Sequence, residues 1–323
     1  MILVTGATGF IGSALVWELN QRGRTDLLVS DHIEPKDRSD HLRKRTFKDF
    51  VPADHLTSHL STVAKDLEAV FHMGACSSTT EKNAEYLRKN NTEYTRHLFE
   101  FCTKHQIPFQ YASSGAVYGD GSQGFCDRTD PESFTPLNLY GKSKLDFDIW
   151  ALKQESHPPH WQGLRFFNVY GPNEYHKGPM ASVAFKAFQQ IEETGQLRLF
   201  KSHNANYEDG KQLRDFVYVK DITRWMVEIY ESKGGIRNGI YNQGFGKART
   251  WLDLAQAVFS SLGQKLKIEW IDVPVDIRDQ YQYFTEANME KAFAEGLSQP
   301  QWSLEKGVAD YVENYLVQSD PYL

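Results

Sequence analysis

Apolar Ile2-Leu-Val4 and β-branched Thr5 stand near the start of the chain, and Gly6-Ala-Thr-Gly9-Phe10-Ile11-Gly12 follows before Ile11, Ala14, Leu15 and Leu19 recur at helical spacing. This pattern predicts strand, glycine turn and amphipathic helix in succession. Further buried runs predict strands at 27–31, ending in Asp31, at 68–73, leading into Gly74-Ala75-Cys76-Ser77, and at 109–112, leading into Ser113-Ser114. A helical stretch from near 81 to about 104 lies between the last two. Strands alternating with helices predict a parallel sheet covered on both faces, and small-residue turns at the C-terminal strand ends are where such a sheet keeps its ligand crevice.

After Pro172 the alternation breaks. Helices are predicted at 181–193, 220–231, 250–262 and 303–317, strands at 197–200, 239–242 and 267–271, and a polar turn at 202–210. The expected fold class is α/β, a Rossmann-like doubly wound parallel sheet with a smaller α/β substrate-binding domain. Residues 1–169 and 219–243 are assigned to the dinucleotide-binding part and 170–218 and 244–323 to the substrate-binding part. With no linker or repeat between them, the two are expected to close around one crevice.

Composition narrows the function classes. The net charge of −6, with Phe and Tyr interleaved in the core pattern rather than among Lys and Arg, gives no nucleic-acid surface. No apolar run approaches the roughly 18 residues of a membrane span. Three cysteines without a C-x-x-C pair argue against a disulfide framework, and a buried strand at the first residues leaves no cleavable signal, so a cytoplasmic protein is expected. No metal is expected: His157-Pro-Pro-His160 has no acidic or Cys partner nearby and reads as a surface loop. Cys76 lies in a crevice turn, but no His is evidently paired with it as a nucleophile's base.

The glycine loop carries the first chemistry. Gly6 suits the tight turn, Gly9 the close approach of a pyrophosphate and Gly12 close helix–strand packing, with the helix N-terminus facing phosphate charge. Asp31 falls where a carboxylate holds adenosine ribose hydroxyls. The cations of segment 36–45 read either as a solvated face or as partners of a ribose 2′-phosphate. In Tyr140-Gly-Lys-Ser-Lys144 the helical spacing brings an ammonium beside a phenol, which favours the phenolate and makes Tyr140 a candidate acid/base. By itself that spacing also describes a solvated helix face.

Taken with Tyr111-Ala-Ser-Ser-Gly-Ala-Val-Tyr118-Gly119, these motifs resemble the extended short-chain dehydrogenase/reductases. Gly74-Ala-Cys-Ser-Ser-Thr-Thr80, Arg165-Phe-Phe-Asn-Val-Tyr-Gly-Pro172, His176-Lys-Gly178, Met180-Ala-Ser-Val-Ala-Phe185 and Arg214-Asp-Phe-Val-Tyr-Val219 are similar to segments of the ADP-L-glycero-D-manno-heptose 6-epimerases within that family. The resemblance implies epimerisation at C6″ of ADP-heptose through a 6-keto intermediate, in lipopolysaccharide core synthesis. It also implies NADP, with NAD as a possible substitute, and a homo-oligomer, plausibly a pentamer.

Position by position, the resemblance implies Tyr140, Lys144 and Ser114 as the catalytic group and Lys177 as a second base. Read from its loop alone, Lys177 is more readily a phosphate contact or an exposed lysine than a base. The implied cofactor residues are Gly6, Gly9, Phe10, Ile11, Gly12, Asp31, His32 and Arg38, followed by Met73, Gly74, Ala75, Cys76, Ser77, Asn90, Lys144 and Val169. The implied substrate residues are Ser114, Asn168, Ser182, Lys186, Phe200, Arg214 and Tyr281. Pro179 and Ala53 depart from the family pattern, at a substrate contact and a cofactor contact respectively. The alternatives are a UDP-sugar 4-epimerase, a dehydratase, or a non-catalytic NAD(P)-binding relative. Gly115-Ala116 offers no acid pair for a dehydratase, and a degenerate relative would be expected to lose part of Ser114, Tyr140 and Lys144.

Overall fold

The computed structural model describes residues 1–274, 278 and 282–323. Six strands come first in chain order: β1 (Ile2–Thr5), β2 (Leu27–Asp31), β3 (Asp49–Pro52), β4 (Ala69–His72), β5 (Phe109–Ser114) and β6 (Trp161–Phe166). Five more short strands, β7 (Asn168–Tyr170), β8 (Leu197–Phe200), β9 (Leu213–Arg214), β10 (Phe216–Tyr218) and β11 (Gly239–Gln243), precede β12 (Arg249–Thr250) and β13 (Ile268–Ile271). The main sheet has the order β11-β6-β5-β4-β1-β2-β3, and every neighbouring pair is parallel. A parallel sheet needs cover on both faces, and successive side chains supply it alternately. Ile2, Val4, Leu27, Val29, Ala69 and Phe71 join one buried cluster with Trp225 and Met226 of the helix Val219–Glu231. The residues between them, Leu3, Leu28 and Val70, join the cluster on the other face with Phe99 and Phe147.

A smaller α/β region adds three two-stranded pairings, β10 with β7, β12 with β9 and β13 with β8. Its own core gathers Ile191, Leu197, Leu254, Phe259, Val308 and Tyr311 from three helices and β8. Strand β11 returns to the main sheet beside β6. The first turn between the two regions is sharp. Phe167 N–H still bonds the Gln243 carbonyl of β11 at 3.1 Å, but Asn168 N–H turns to the Asp215 carbonyl at 3.1 Å, so β6 ends at Phe166 and β7 starts in a different sheet.

Two other local differences have physical causes. The helix expected from near 81 begins at Ala84, capped by Asn83, and its middle, Arg88–Glu93, is a π turn before the helix Tyr94–His105. The wider turn inserts an extra residue, which leaves Asn90 facing the crevice and Asn91 buried. The sheet edge strand β3 was not anticipated, since only Val51 of its four residues is buried and the strand therefore carries no hydrophobic alternation.

Candidate active site

The C-terminal ends of the strands open on one cleft of about 790 Å³. At its floor β1 turns into the helix Phe10–Gln21 through Gly6, whose φ of +65° and 2.6 Å spacing between an added Cβ and the Gly74 N–H admit only glycine. A Cβ on Gly12 would stand 2.0 Å from the Gly6 carbonyl oxygen, so helix and loop touch backbone to backbone. The helix is preceded by Gly9 and has no side-chain cap, which leaves its N-terminal N–H groups for an anion in the cleft.

Asp31, at the end of β2, accepts Thr8 N–H at 3.0 Å and His32 N–H at 2.7 Å, so it holds the glycine loop as well as lining the cleft. Arg38 donates to the Thr8 carbonyl at 3.2 Å, and His41 Nδ1 lies 2.7 Å from the same oxygen. Burial lowers the Arg38 proton affinity, and the nearby Asp31 charge opposes it. A dinucleotide fits this arrangement: backbone donors for its phosphates, a carboxylate at the ribose position and a half-buried guanidinium beside it.

Tyr140 is the second residue of the helix Leu139–Leu152, whose N-cap Asn138 accepts Gly141 N–H at 2.8 Å. An added Cβ at Gly141 would lie 2.7 Å from the Ala116 carbonyl, so the helix start presses on the turn after β5. That contact sets Tyr140 and Ser114 together in the cleft lining, where the Ser114 hydroxyl favours the phenolate. Ser114 Oγ also accepts Ala116 N–H at 3.1 Å. The expectation that Lys144 lowers the Tyr140 pKa needs correction. Burial raises the phenol above its ordinary value and the nearby Ser114 hydroxyl opposes, while the Lys144 ammonium is directed at the Ala112 carbonyl at 2.8 Å. Burial brings Lys144 itself down to about 8, against the pull of Asp148.

Lys177 reaches the same cleft from a different element, the tight turn Tyr175–Met180. Gly178, at φ +50°, reverses the chain there. The Lys177 ammonium lies 5.2 Å from the centre of the Phe10 ring, and burial lowers its proton affinity while the Glu174 charge opposes. Glu174 is fully buried, accepts the Ser182 hydroxyl at 2.7 Å and Gly171 N–H at 3.1 Å, and so braces the turn.

The cleft also gathers Phe10, Ile11, His32, Met73, Gly74, Ala75, Cys76, Ser77, Asn90, Asn168, Val169 and Ser182. The hydroxyl of Ser182 is engaged with Glu174 and caps the helix Val183–Thr194. Lys186, Phe200 and Arg214 fall outside this lining: Lys186 donates to the Pro179 carbonyl, and Arg214 stacks on Trp251, which does line the cleft. Tyr281 lies outside the described residues.

Sequence reading missed Asn91, which accepts Cys76 N–H at 2.8 Å and donates to the Cys76 carbonyl at 3.0 Å and to Ser143 Oγ at 2.9 Å. It thus joins the Cys76 turn to the Tyr140 helix. Trp251, Gln282 and Thr285 also line the cleft unanticipated, because they come from the distal third of the chain without a motif. Among the described residues no group of three or more His, Cys, Asp or Glu is placed to hold a metal, and no helix is long and apolar enough to cross a membrane.

Comparison with known proteins agrees with this geometry. Residues 2–244 match the family model described as the NAD dependent epimerase/dehydratase family. The chain is 46% identical to the ADP-L-glycero-D-manno-heptose-6-epimerase of Fusobacterium nucleatum, with 100% of both chains covered. It is likewise 46% identical to the protein of that name from Nitratidesulfovibrio vulgaris, again over 100% of both. The crystal structure of the Helicobacter pylori ADP-L-glycero-D-manno-heptose-6-epimerase superposes with a TM-score of 0.81 at 28% identity, covering 97% of this chain and 95% of that one.

Proposed function

Because the chain belongs to the NAD dependent epimerase/dehydratase family, we propose that it inverts C6″ of ADP-D-glycero-beta-D-manno-heptose to give the L-glycero epimer for lipopolysaccharide core synthesis. The observation that carries the reading is that two half-buried proton-transfer groups, Tyr140 and Lys177, enter one cleft from separate elements. The glycine loop, Asp31 and Arg38 would hold a dinucleotide, and its nicotinamide would supply the transient oxidation by accepting hydride from C6″ and giving it back. Inversion at an exocyclic carbon requires the C6″ ketone to present its other face between the two transfers, so its oxygen occupies two positions. Tyr140, beside Ser114 in the cleft lining, exchanges the hydroxyl proton in one pose. Lys177 does so in the other, its proton affinity lowered by burial toward the range a general base needs. Lys144 holds the Tyr140 helix on the strand that carries Ser114 through its bond to the Ala112 carbonyl, Asn168 and Ser182 stand by the sugar, and Arg38 favours NADP by meeting a 2′-phosphate beside Asp31.

The test is conversion of ADP-D-glycero-heptose followed by NMR, with UDP-galactose as the control sugar and near-ultraviolet absorbance recorded throughout. Interconversion of the heptose epimers with no accumulation of reduced cofactor is expected. Turnover of UDP-galactose instead, or stoichiometric reduced cofactor, would overturn the assignment. On an analogue with an aldehyde at C6″, Tyr140→Phe and Lys177→Met should each retain part of the dismutation activity while losing epimerisation by orders of magnitude, and the double substitution should lose both. Near wild-type epimerisation by Lys177→Met would leave Tyr140 to serve both faces. We also propose that the enzyme is a homo-oligomer, plausibly a pentamer, and a monomer in analytical ultracentrifugation at micromolar concentration would refute that.

A further inference from the structure

Asp148 is fully buried on the helix Leu139–Leu152, one turn beyond Lys144. Its Oδ1 accepts the Tyr111 hydroxyl at 2.9 Å, and its Oδ2 accepts the Ser113 hydroxyl at 3.0 Å and Arg165 Nε at 2.9 Å. Tyr111 and Ser113 are alternate residues of β5 and leave the strand on one face, while Arg165 is the register partner of Ser113 in β6. One carboxylate therefore ties the helix that carries Tyr140 and Lys144 to the two strands beside it, and its bonds end one residue short of Ser114. The Lys144 bond to the Ala112 carbonyl joins the same helix to the same strand.

If joining helix to sheet were the whole purpose, apolar residues of equal volume would serve as well, since a buried ion pair returns little net stability. What apolar residues cannot supply is negative charge beside Lys144. The groups facing that ammonium are the Ala112 carbonyl, Cys76 in the turn after β4, and His72 within β4, which burial and the Lys144 charge hold at about 3. Asp148 is the carboxylate among them, and Arg165 stands behind it on β6. We propose that Asp148 is a positioning residue for the hydride-transfer site: its carboxylate fixes the helix of Tyr140 and Lys144 at its height over Ser114 and sets a negative charge one turn from Lys144. The inference rests on the use of Tyr140 and Lys144 proposed above. Burial depresses Lys144, and Asp148 is the larger of the opposing influences. Without that carboxylate Lys144 should lose its proton at a lower pH.

The experiment compares the pH profiles of kcat/KM for ADP-heptose in the wild type, Asp148→Asn and Asp148→Glu, with folding checked by thermal melts. In Asp148→Asn the alkaline limb should move down by about one unit or more, the usual effect of losing a close opposite charge. With Lys144 at about 8 in the wild type, activity at pH 8 should then fall about fivefold for a one-unit move, more for a larger one, and recover in part at lower pH, while Asp148→Glu should restore the limb. If Asp148→Asn does not fold because Arg165 is left unpaired, the double variant Asp148→Asn with Arg165→Gln takes its place; loss of the Arg165 cation offsets part of the effect, so a smaller displacement in the same direction is expected. The Lys144 titration is read separately by NMR of protein labelled with 13C at lysine Cε, assigned with Lys144→Met, and needs no substrate. Wild-type protein inactive on ADP-heptose would sink the proposed function without touching that readout. An unmoved Lys144 titration in folded Asp148→Asn, or in the double variant, would overturn the inference.

Discussion

Replacing Gly12 by Ala tests the dinucleotide loop at its tightest point. The new Cβ would stand 2.0 Å from the Gly6 carbonyl oxygen and 2.7 Å from its carbon, both backbone atoms, where real Cβ contacts under 3.0 Å essentially never occur. Helix and loop must therefore separate by about 1 Å, since a close-packed interior has no slack to absorb it. Overpacking of this kind costs about 1–3 kcal/mol, while exchanging glycine for alanine inside a helix returns about 1 kcal/mol. The net loss of folding stability should be small, roughly 0–2 kcal/mol by those terms. Binding should suffer more. The displaced loop is the one that holds Thr8 N–H on Asp31 at 3.0 Å and the Thr8 carbonyl on Arg38 at 3.2 Å, so phosphate donors and ribose carboxylate move out of register together. An affinity loss of at least about tenfold, near 1.4 kcal/mol, is expected for NADP by fluorescence titration. Gly23→Ala is the control: φ is +74° there and an added Cβ meets nothing within 4 Å, so it should lower the melting temperature and leave affinity alone. Wild-type NADP affinity in folded Gly12→Ala would refute the argument that close backbone approach shapes the site.

Arg38→Ala should reduce NADP affinity more than NAD affinity, and an unchanged ratio in parallel titrations would remove Arg38 from cofactor choice. His41 and His72 are buried, burial lowers them to about 4 and about 3, and both are near 6.5 when unfolded, so the unfolded chain binds more protons below that pH. Their stabilisation is complete above pH 6.5 and is lost as pH falls toward those values, at about 1.4 kcal/mol per unit for each group. Urea unfolding at pH 7, 6 and 5 should show the decline, with a shallower slope for His72→Gln, and a flat profile would contradict it.

The glycine loop, Asp31, Ser114, and the Tyr140 and Lys144 pair were legible in the sequence because each depends on local order: a turn, a strand end, or residues four apart on one helix. The parallel sheet was legible for the same reason, since buried runs and helical spacing alternate along the chain. The chain alone could not decide what Lys144 faces. In the folded protein its ammonium meets Ala112 and the charge of Asp148, and the Tyr140 phenol is raised by burial, whereas helical spacing had suggested that Lys144 would lower it. The π turn that buries Asn91 behind Cys76 was hidden as well, because one extra residue in a helix leaves no compositional mark. Trp251, Gln282 and Thr285 join the cleft across long sequence separations and carry no periodic signal. Local pattern records backbone conformation and burial, but desolvation and charge pairing depend on which strands and helices meet, and only tertiary structure sets that.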